Sequence, residues 1–494
     1  ILLLLFYYKK TFILLSKNFL NIILHILSEL KKFELHYYIY FIILIIPSLI
    51  IKIFFLLNMP VSYDEAFTII NFTQKGFFSS IAYYPAPNNH VLYSLITNMF
   101  QLLISNELLG NRIINLIIIN LFLFFVYFSN IKLFNFKTAI VTTLIVSLIF
   151  PVISYGYLGR GYGLIILLSY ISFYYFYKII FLNDKNTNKT LIIISICFFF
   201  SVAVNPSNLY LFTIYYIILS IFHLLNNNYN VIIKLTLYFV IITFLLFIFY
   251  SPIFIISGFG SVFDNKFVSS SEEINLFDFI NHYFIITLSY LYNNLIIFYT
   301  LYLFLLFNFI RFKRNKNFLI IFSIFNFLPF IFTLIQDVIA PERVFVFLIP
   351  SFIFLLSIIY FNISSNNFKI FYNLIAVLLS LYLFYSSILK VNNFHIFSKI
   401  GKNSSQFIIN LNPEKIYIKH GLLDTFLIYY SNDNLKMKFG KNDYEKIQNK
   451  NEYDYFILNK LTDQKNIKNI NYFQMDINNI EYDIYVYKNL NYKM

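Results

Sequence analysis

Asp64 and Glu65 stand side by side in Val61-Ser-Tyr-Asp64-Glu65-Ala-Phe-Thr68, just beyond a long apolar run. Carboxylates next to hydrocarbon are costly unless they are hydrated or paired. Taken alone, the pair fits equally well two solvated flanks that end a span. Three other features carry groups of complementary chemistry. Pro85-Ala-Pro87-Asn88-Asn89-His90 offers side chains that bind hydroxyls, or else an Asn-capped helix start. Tyr155-Gly-Tyr-Leu-Gly159-Arg160-Gly161-Tyr162 places a lone arginine between two apolar runs, and Ala340-Pro341-Glu342-Arg343 places another at the mouth of a third. A guanidinium there either snorkels to the interface or meets an anionic group in the membrane plane such as a lipid phosphate. Together these types suit one reaction. A carboxylate takes a proton from an acceptor hydroxyl or amine, and arginine stabilises the charge on a departing phosphate.

The elements that must hold these groups are membrane spans. The chain has 494 residues, 59% hydrophobic, 22% aromatic and only 12% charged, with mean hydropathy +0.70. Soluble domains carry about 25% charged residues, and repeated apolar runs of this length read as transmembrane helices. The net charge of +14 follows largely from topology, so it does not indicate a nucleic-acid partner. The single cysteine, Cys197, lies in an apolar run, which excludes intrachain disulfides and thiolate metal sites.

Residues 1–36 mix Lys9, Lys10, Lys17, Lys31 and Lys32 with apolar residues, a basic amphipathic pattern suited to a cytoplasmic surface. Spans are expected near 37–57, 113–130, 138–155, 162–181, 190–205, 207–225, 232–256, 283–310, 318–337, 344–361 and 370–389, about eleven in all. The stretch 91–105 is short and carries Ser94, Thr97, Asn98 and Gln101. If it does not cross and the N-terminus is cytoplasmic, Lys132, Lys137, Lys185, Lys189, Lys234, the Arg311–Lys316 cluster and Lys369 fall inside. The acids Asp64, Glu65, Glu107, Asp264, Glu272, Glu273, Asp278, Asp337 and Glu342 then fall outside, as the positive-inside rule requires. The stretch 91–105 is therefore expected to lie along the outer face, or to dip in and return, within a first outer loop spanning 58–111.

From about Asn392 the composition shifts to Lys, Asn, Asp and Tyr. Alternating runs at 415–419, 435–439, 453–458 and 482–487 read as strands, and 421–430 reads as a helix. By parity, residues 391–494 form a small extracytoplasmic α/β domain behind a membrane domain of residues 37–390. No P-loop, HExxH or CxxC occurs, which argues against an ATP-driven pump and a zinc protease. A donor borne on a lipid phosphate needs neither motif.

In order and spacing, Asp64-Glu65-Ala, Pro87-Asn88-Asn89-His90, Gly110-Asn-Arg112, Gly159-Arg160-Gly-Tyr162 and Pro341-Glu-Arg343 resemble the polyprenyl-phosphate-dependent integral membrane glycosyltransferases of the GT-C fold. These include protein O-mannosyltransferases and lipid A aminoarabinose transferases. The resemblance covers roughly residues 37–360. It departs from the family where His90-Val91 replaces a common His-Pro, and where Asn205-Pro206-Ser207-Asn208 replaces a His or Tyr pair.

The resemblance implies an all-α polytopic membrane protein of the cytoplasmic (inner) membrane, with its active site on the outer face. It implies sugar transfer with inversion from a polyprenyl-phosphate donor to an extracytoplasmic glycolipid, polysaccharide or protein. It assigns catalysis to Asp64 with Glu65 beside it as an acceptor-binding or helper acid, and donor-phosphate contacts to Arg160, Arg343 and Tyr162. Acceptor or sugar contacts go to Asn88, Asn89 and His90. Relatives differ on a divalent metal; no ligand set beyond His90 stands near Asp64, so none is required. Residues 257–282, with Ser269–Ser271, Glu272 and Glu273, read as a loop that closes over the donor or as a plain solvated loop. A lipid-linked-sugar transporter would need polar residues buried mid-span, or broken helices with internal symmetry, whereas the spans read as largely uninterrupted apart from Pro47 and Pro329, with charges at their ends; a scaffold with an outer sensor domain leaves Arg160 and the acid pair unexplained.

Overall fold

The structure is a computed structural model that describes residues 33–85, 88–182, 186–263, 276–296, 299–300, 302–303, 316–363, 369–418, 423–431, 436–439, 453–459, 473–475 and 484–488. The expected N-terminal amphipathic segment up to residue 32, Pro87, the acids and serines of 264–275 and the basic cluster at 311–314 lie outside the described residues.

Eight described helical stretches are long and apolar enough to cross a bilayer. The chain enters with α1 (Leu35–Asn58), and the loop after it carries α2 (Tyr63–Thr68), α3 (Phe77–Ala82) and α4 (Val91–Gln101). Helix α5 (Glu107–Leu133) follows, its start capped by the Asn106 carboxamide oxygen, which accepts from Leu109 N–H. Next come α6 (Phe136–Ser147), α7 (Phe150–Ser154), α8 (Tyr162–Phe181), α9 (Thr187–Val204), α10 (Leu209–Leu225) and α11 (Tyr229–Ile256). A π-helical stretch (Asn281–Thr287) leads into α12 (Leu288–Tyr292). Helix α13 (Lys316–Ile335), a 3₁₀ turn (Glu342–Leu348), α14 (Ile349–Ile363), α15 (Lys369–Phe394) and α16 (Ile396–Asn410) complete the helical part. The span Glu342–Asn362 is 89% buried against 22% for Tyr229–Ile256. The first is thus the packed axis of the bundle, and the second lies at its lipid-facing edge. At 11 residues, or about 16 Å of helix, α4 is too short to cross about 30 Å of hydrocarbon.

Two expected spans are interrupted. The 138–155 run breaks between α6 and α7, where Pro151 cannot continue the ladder. The groups freed by the break are satisfied by side chains from other elements. Phe150 N–H donates to Asn293 Oδ1 at 2.5 Å, and Ser387 Oγ donates to the Leu148 carbonyl at 2.7 Å. Asn293 itself ends α12 at φ +66°, so the 283–310 run is also not one continuous helix.

Lys52, six residues before the end of α1, is fully buried, and its Nζ has no hydrogen-bond partner among the described residues. Its stem fills the space a side chain would need at Gly156, where an added Cβ would lie 2.5 Å from Lys52 Cδ. Because the ammonium satisfies nothing, Lys52→Met is expected to stabilise the protein by about 1–3 kcal/mol. Thermal unfolding of the detergent-solubilised variant checks this; a fall in melting temperature would show that the charge has a partner.

The C-terminal residues form an α/β unit. Strands β1 (Lys415–Ile418), β2 (Lys436–Phe439), β3 (Tyr455–Asn459), β4 (Phe473–Met475) and β5 (Ile484–Lys488) pair in the order β2-β1-β3-β5-β4. Strands β1, β2 and β3 run parallel, and β5 lies antiparallel to β3 and β4. Helix α17 (Leu423–Ser431) connects β1 to β2. The four alternating runs read from the sequence are strands; β4 escaped notice because three residues are too few to show alternation. Ile416, Ile418 and Ile457 pack on Ile408, Leu423 and Leu427 of α16 and α17.

Candidate active site

Helix α2 carries the acid pair, and its geometry separates the two acids. Ser62 Oγ accepts from Glu65 N–H while Glu65 Oε2 accepts from Ser62 N–H, a reciprocal capping box that starts the helix. This turns Glu65 inward and leaves Asp64 facing out. Glu65 Oε1 accepts from Arg112 Nε at 2.8 Å and from Gly159 N–H at 2.7 Å; Oε2 also accepts from Arg112 Nη2 at 2.9 Å. Arg112 spends its other donors on the carbonyls of Leu56, Met59 and Pro60 at 2.8–3.0 Å. Five guanidinium hydrogens and four carboxylate acceptor sites are thus all used. Burial alone would push the Glu65 carboxyl up, but the Arg112 charge and the four hydrogen bonds outweigh it and hold it down at about 2.

Asp64 stays 27% exposed on its side chain and meets two cations. Arg160 Nη2 lies 3.7 Å and Arg343 Nη1 3.6 Å from Asp64 Oδ2. Both separations are ion pairs too long for hydrogen bonds. The two arginines differ. Arg160 is almost wholly buried, and its Nη1 donates to Thr68 Oγ1 at 3.0 Å and to the carbonyls of Asp64 and Asn88 at 3.2 Å. Arg343 is 43% exposed on its side chain. His282 Nε2 lies 2.9 Å from the carbonyl of Ala340, tying down the loop that leads to Arg343.

The glycines around Arg160 let three elements converge there. A Cβ at Gly159 would come within 2.9 Å of Asn111 Cβ, and one at Gly161 within 2.6 Å of Val204 Cγ1 and 2.9 Å of His90 Cβ. Asn115 Nδ2 donates to the carbonyls of Leu158 and Arg160, fixing the turn from the side of α5.

His90 is buried edge-on against Tyr162, ring centroids 4.6 Å apart, and neither ring nitrogen has a hydrogen-bond partner among the described residues. Burial, with the nearby guanidiniums of Arg160 and Arg343, pushes the imidazole well below its ordinary value. The ring is therefore neutral, with one donor and one acceptor nitrogen. Tyr162 lies under the Arg160 guanidinium at 5.9 Å and beside Tyr155, whose hydroxyl meets that of Tyr290 at 2.5 Å.

The structure therefore gathers Asp64, Arg160, Arg343, His90 and Tyr162 in one place, with Asn88 bordering them through its carbonyl and a 3.5 Å contact from Nδ2 to the Asp64 carbonyl. It turns two expected residues away. Glu65 has no acceptor site left for a substrate. Asn89 is 2% exposed; its Nδ2 donates to the carbonyls of Ser80 and Tyr83 and its Oδ1 accepts from Ser94 Oγ, so it staples the loop. Tyr155 and Tyr290 were not singled out for the site. Tyr155 opens the quoted glycine-arginine stretch, whereas Tyr290 sits in an apolar run with nothing local to mark it.

The C-terminal unit abuts the same helix. Phe426 of α17 is fully buried against Val61 and Ala66, 6.2 Å from the Tyr63 ring, and a Cβ at Gly401 would strike the Phe426 ring at 2.5 Å. The Asp64 helix is thereby clamped between the bundle and α17.

No protein-family model and no curated protein sequence matches the chain. Solved structures similar to it include the crystal structure of ArnT from Cupriavidus metallidurans in the apo state. That likeness has a TM-score of 0.59 at 11% identity, covering 91% of this chain and 98% of that one. The same protein bound to undecaprenyl phosphate gives 0.56 at 12% identity, covering 90% and 97%. At such identity the likeness is one of fold: the chain is a polytopic integral membrane protein with the GT-C-like architecture that its sequence led one to expect.

Proposed function

We propose that the protein is a membrane glycosyltransferase that moves a sugar from a polyprenyl-phosphate donor to an acceptor at the non-cytoplasmic face. One observation carries the reading: a single partly exposed carboxylate, Asp64, lies between the two guanidiniums of Arg160 and Arg343. Glu65 and Arg112 cancel each other, so Asp64, Arg160 and Arg343 together carry a net charge of one positive unit. A sugar-phosphate diester on a lipid carries one negative charge and neutralises it. During transfer the acceptor hydroxyl gives its proton to Asp64, its oxygen attacks the anomeric carbon from the face opposite the phosphate, and the bond from that carbon to the phosphate oxygen breaks. The phosphate leaves as a dianion facing two arginines while Asp64 becomes neutral, so the charges balance again. The fold neighbour that binds undecaprenyl phosphate supports a donor of the same kind.

In this reading Arg343, the exposed cation, takes the phosphate, and Arg160 holds Asp64 and the Asn88 backbone in register. Neutral His90 meets a sugar hydroxyl beside Tyr162. Glu65 and Asn89 position the site without touching substrate. The test is transfer in proteoliposomes supplied with polyprenyl-phosphate sugars. Arg343→Ala is expected to raise the donor KM about 10- to 100-fold, the worth of one charge-assisted contact of about 1.5–3 kcal/mol. Acceptor KM should change little. An unchanged donor KM would remove Arg343 from the phosphate site.

A further inference from the structure

Between Lys75 and Glu107 the sequence contains no Asp, Glu, Lys or Arg. The two helices in this stretch, α3 and α4, have their polarity inside out. In Phe77-Phe-Ser-Ser80 the serines face the protein: Ser79 Oγ donates to the Asn71 carbonyl and Ser80 Oγ to that of Phe72. The phenylalanines face outward, with Phe78 82% exposed. In α4, Ser94 and Thr97 are fully buried and Asn98 Nδ2 donates to Ser80 Oγ and to the Ser94 carbonyl. Met99, Leu102 and Leu103 point away, the last two 87% and 80% exposed. Asn89 Nδ2 reaches the Tyr83 carbonyl just past the end of α3 while Asn98 reaches Ser80 further back, so the two helices run in opposite senses and Phe77 and Phe78 lie toward the Gln101 end of α4.

Apart from Gln101 Nε2, the hydroxyls and amides described in α3 and α4 are satisfied internally, and the exposed side chains at Phe77, Phe78, Met99, Leu102 and Leu103 are all carbon or thioether, an arrangement that suits hydrocarbon better than water. Helix α3 also packs against the lipid-facing span α11. Ser257, just past α11, accepts from Tyr84 N–H at 2.8 Å and donates to the Ala82 carbonyl at 2.9 Å, joining α3 to the outer end of that edge span. There Ile255, Ile256 and Phe259 are exposed as well. We propose that α3 and α4 dip into the outer leaflet at the ends remote from their connecting turn, with Phe77, Phe78, Met99, Leu102 and Leu103 in the acyl region and Lys75 and Glu107 at the headgroups where the chain enters and leaves. Of the two placements that the sequence left for 91–105, this selects dipping in and returning. The inference stands apart from the reaction assigned above.

The chain contains no tryptophan, so single-tryptophan variants report their surroundings without background. Phe78→Trp and Leu102→Trp place a large apolar ring on an exposed surface, and each serves if the other fails to fold. Ile248→Trp, on the lipid-facing side of α11, is the reference. In phosphatidylcholine vesicles brominated midway along the acyl chains, both hairpin variants are expected to lose as much emission as the reference and to resist aqueous iodide. Quenching by iodide, quenching only by bromines near the headgroup, or protection from both quenchers would overturn the proposal. Those results would mean respectively an aqueous loop, a helix resting on the surface, and a patch covered by protein.

Discussion

Asp64→Asn is expected to abolish transfer while the protein folds, inserts and binds lipid phosphate. Removal of a positioned general base costs about 10²- to 10⁴-fold in kcat, and the neighbouring Glu65 cannot take over, because every one of its acceptor sites is taken. The fold is spared because the Asp64 carboxylate makes only the two long ion pairs, and the helix is capped by Ser62 and Glu65 instead. The variant also raises the net charge at positions 64, 160 and 343 from one positive unit to two. Polyprenyl phosphate, the dianionic product, is therefore expected to bind at least as tightly as to the wild type. Single-turnover transfer and lipid-phosphate binding on the same preparation check both halves. Full turnover by the Asn variant would remove Asp64 from the chemistry; lost binding with lost turnover would show only that the site had collapsed.

The largest effect on stability is expected one residue further on. Glu65→Gln leaves the Arg112 guanidinium buried without its counter-charge, and breaking such a pair costs about 3–5 kcal/mol. Replacing both partners, Glu65→Gln with Arg112→Met, is expected to recover part of that loss, since no buried charge is left uncompensated. The pair also predicts a pH dependence. The folded Glu65 carboxyl is held at about 2, below its ordinary 4.5. A depressed folded value contributes stability that is complete above about pH 4.5 and disappears as pH falls toward 2, about 3 kcal/mol in all. Melting temperature measured between pH 6 and pH 3 should fall in the wild type, with a shallower fall in the double variant. Equal slopes would mean that other acids govern acid unfolding. The two neighbouring acids are thus told apart by readout: position 64 alters turnover without stability, and position 65 alters stability first.

The sequence by itself determined the class of the protein. Long apolar runs have few other folded states than membrane helices, and the bias of lysine and arginine toward alternate loops shows which short run does not cross. It also marked the stretches that meet at the site, because acids, asparagines and arginines stand out against an apolar background. It could not say which member of each pair faces the substrate. Asp64 and Glu65 differ by one position, about 100° around a helix, and only the Ser62 capping box with Arg112 waiting behind it decides that Glu65 turns inward. The same holds for Arg160 and Arg343, alike as boundary arginines in sequence. The converging backbones of residues 64 and 88 bury the first and leave the second open. Asn89 reads from the sequence as an acceptor or sugar contact, and Asn293 as one polar residue in an apolar run. Their partners, Ser80 and Tyr83 in one case and Phe150 in the other, lie on other elements and are chosen by packing. Periodicity and charge are local and survive in the chain as written, whereas the direction of a side chain depends on what other segments, often a hundred residues away, bring against it.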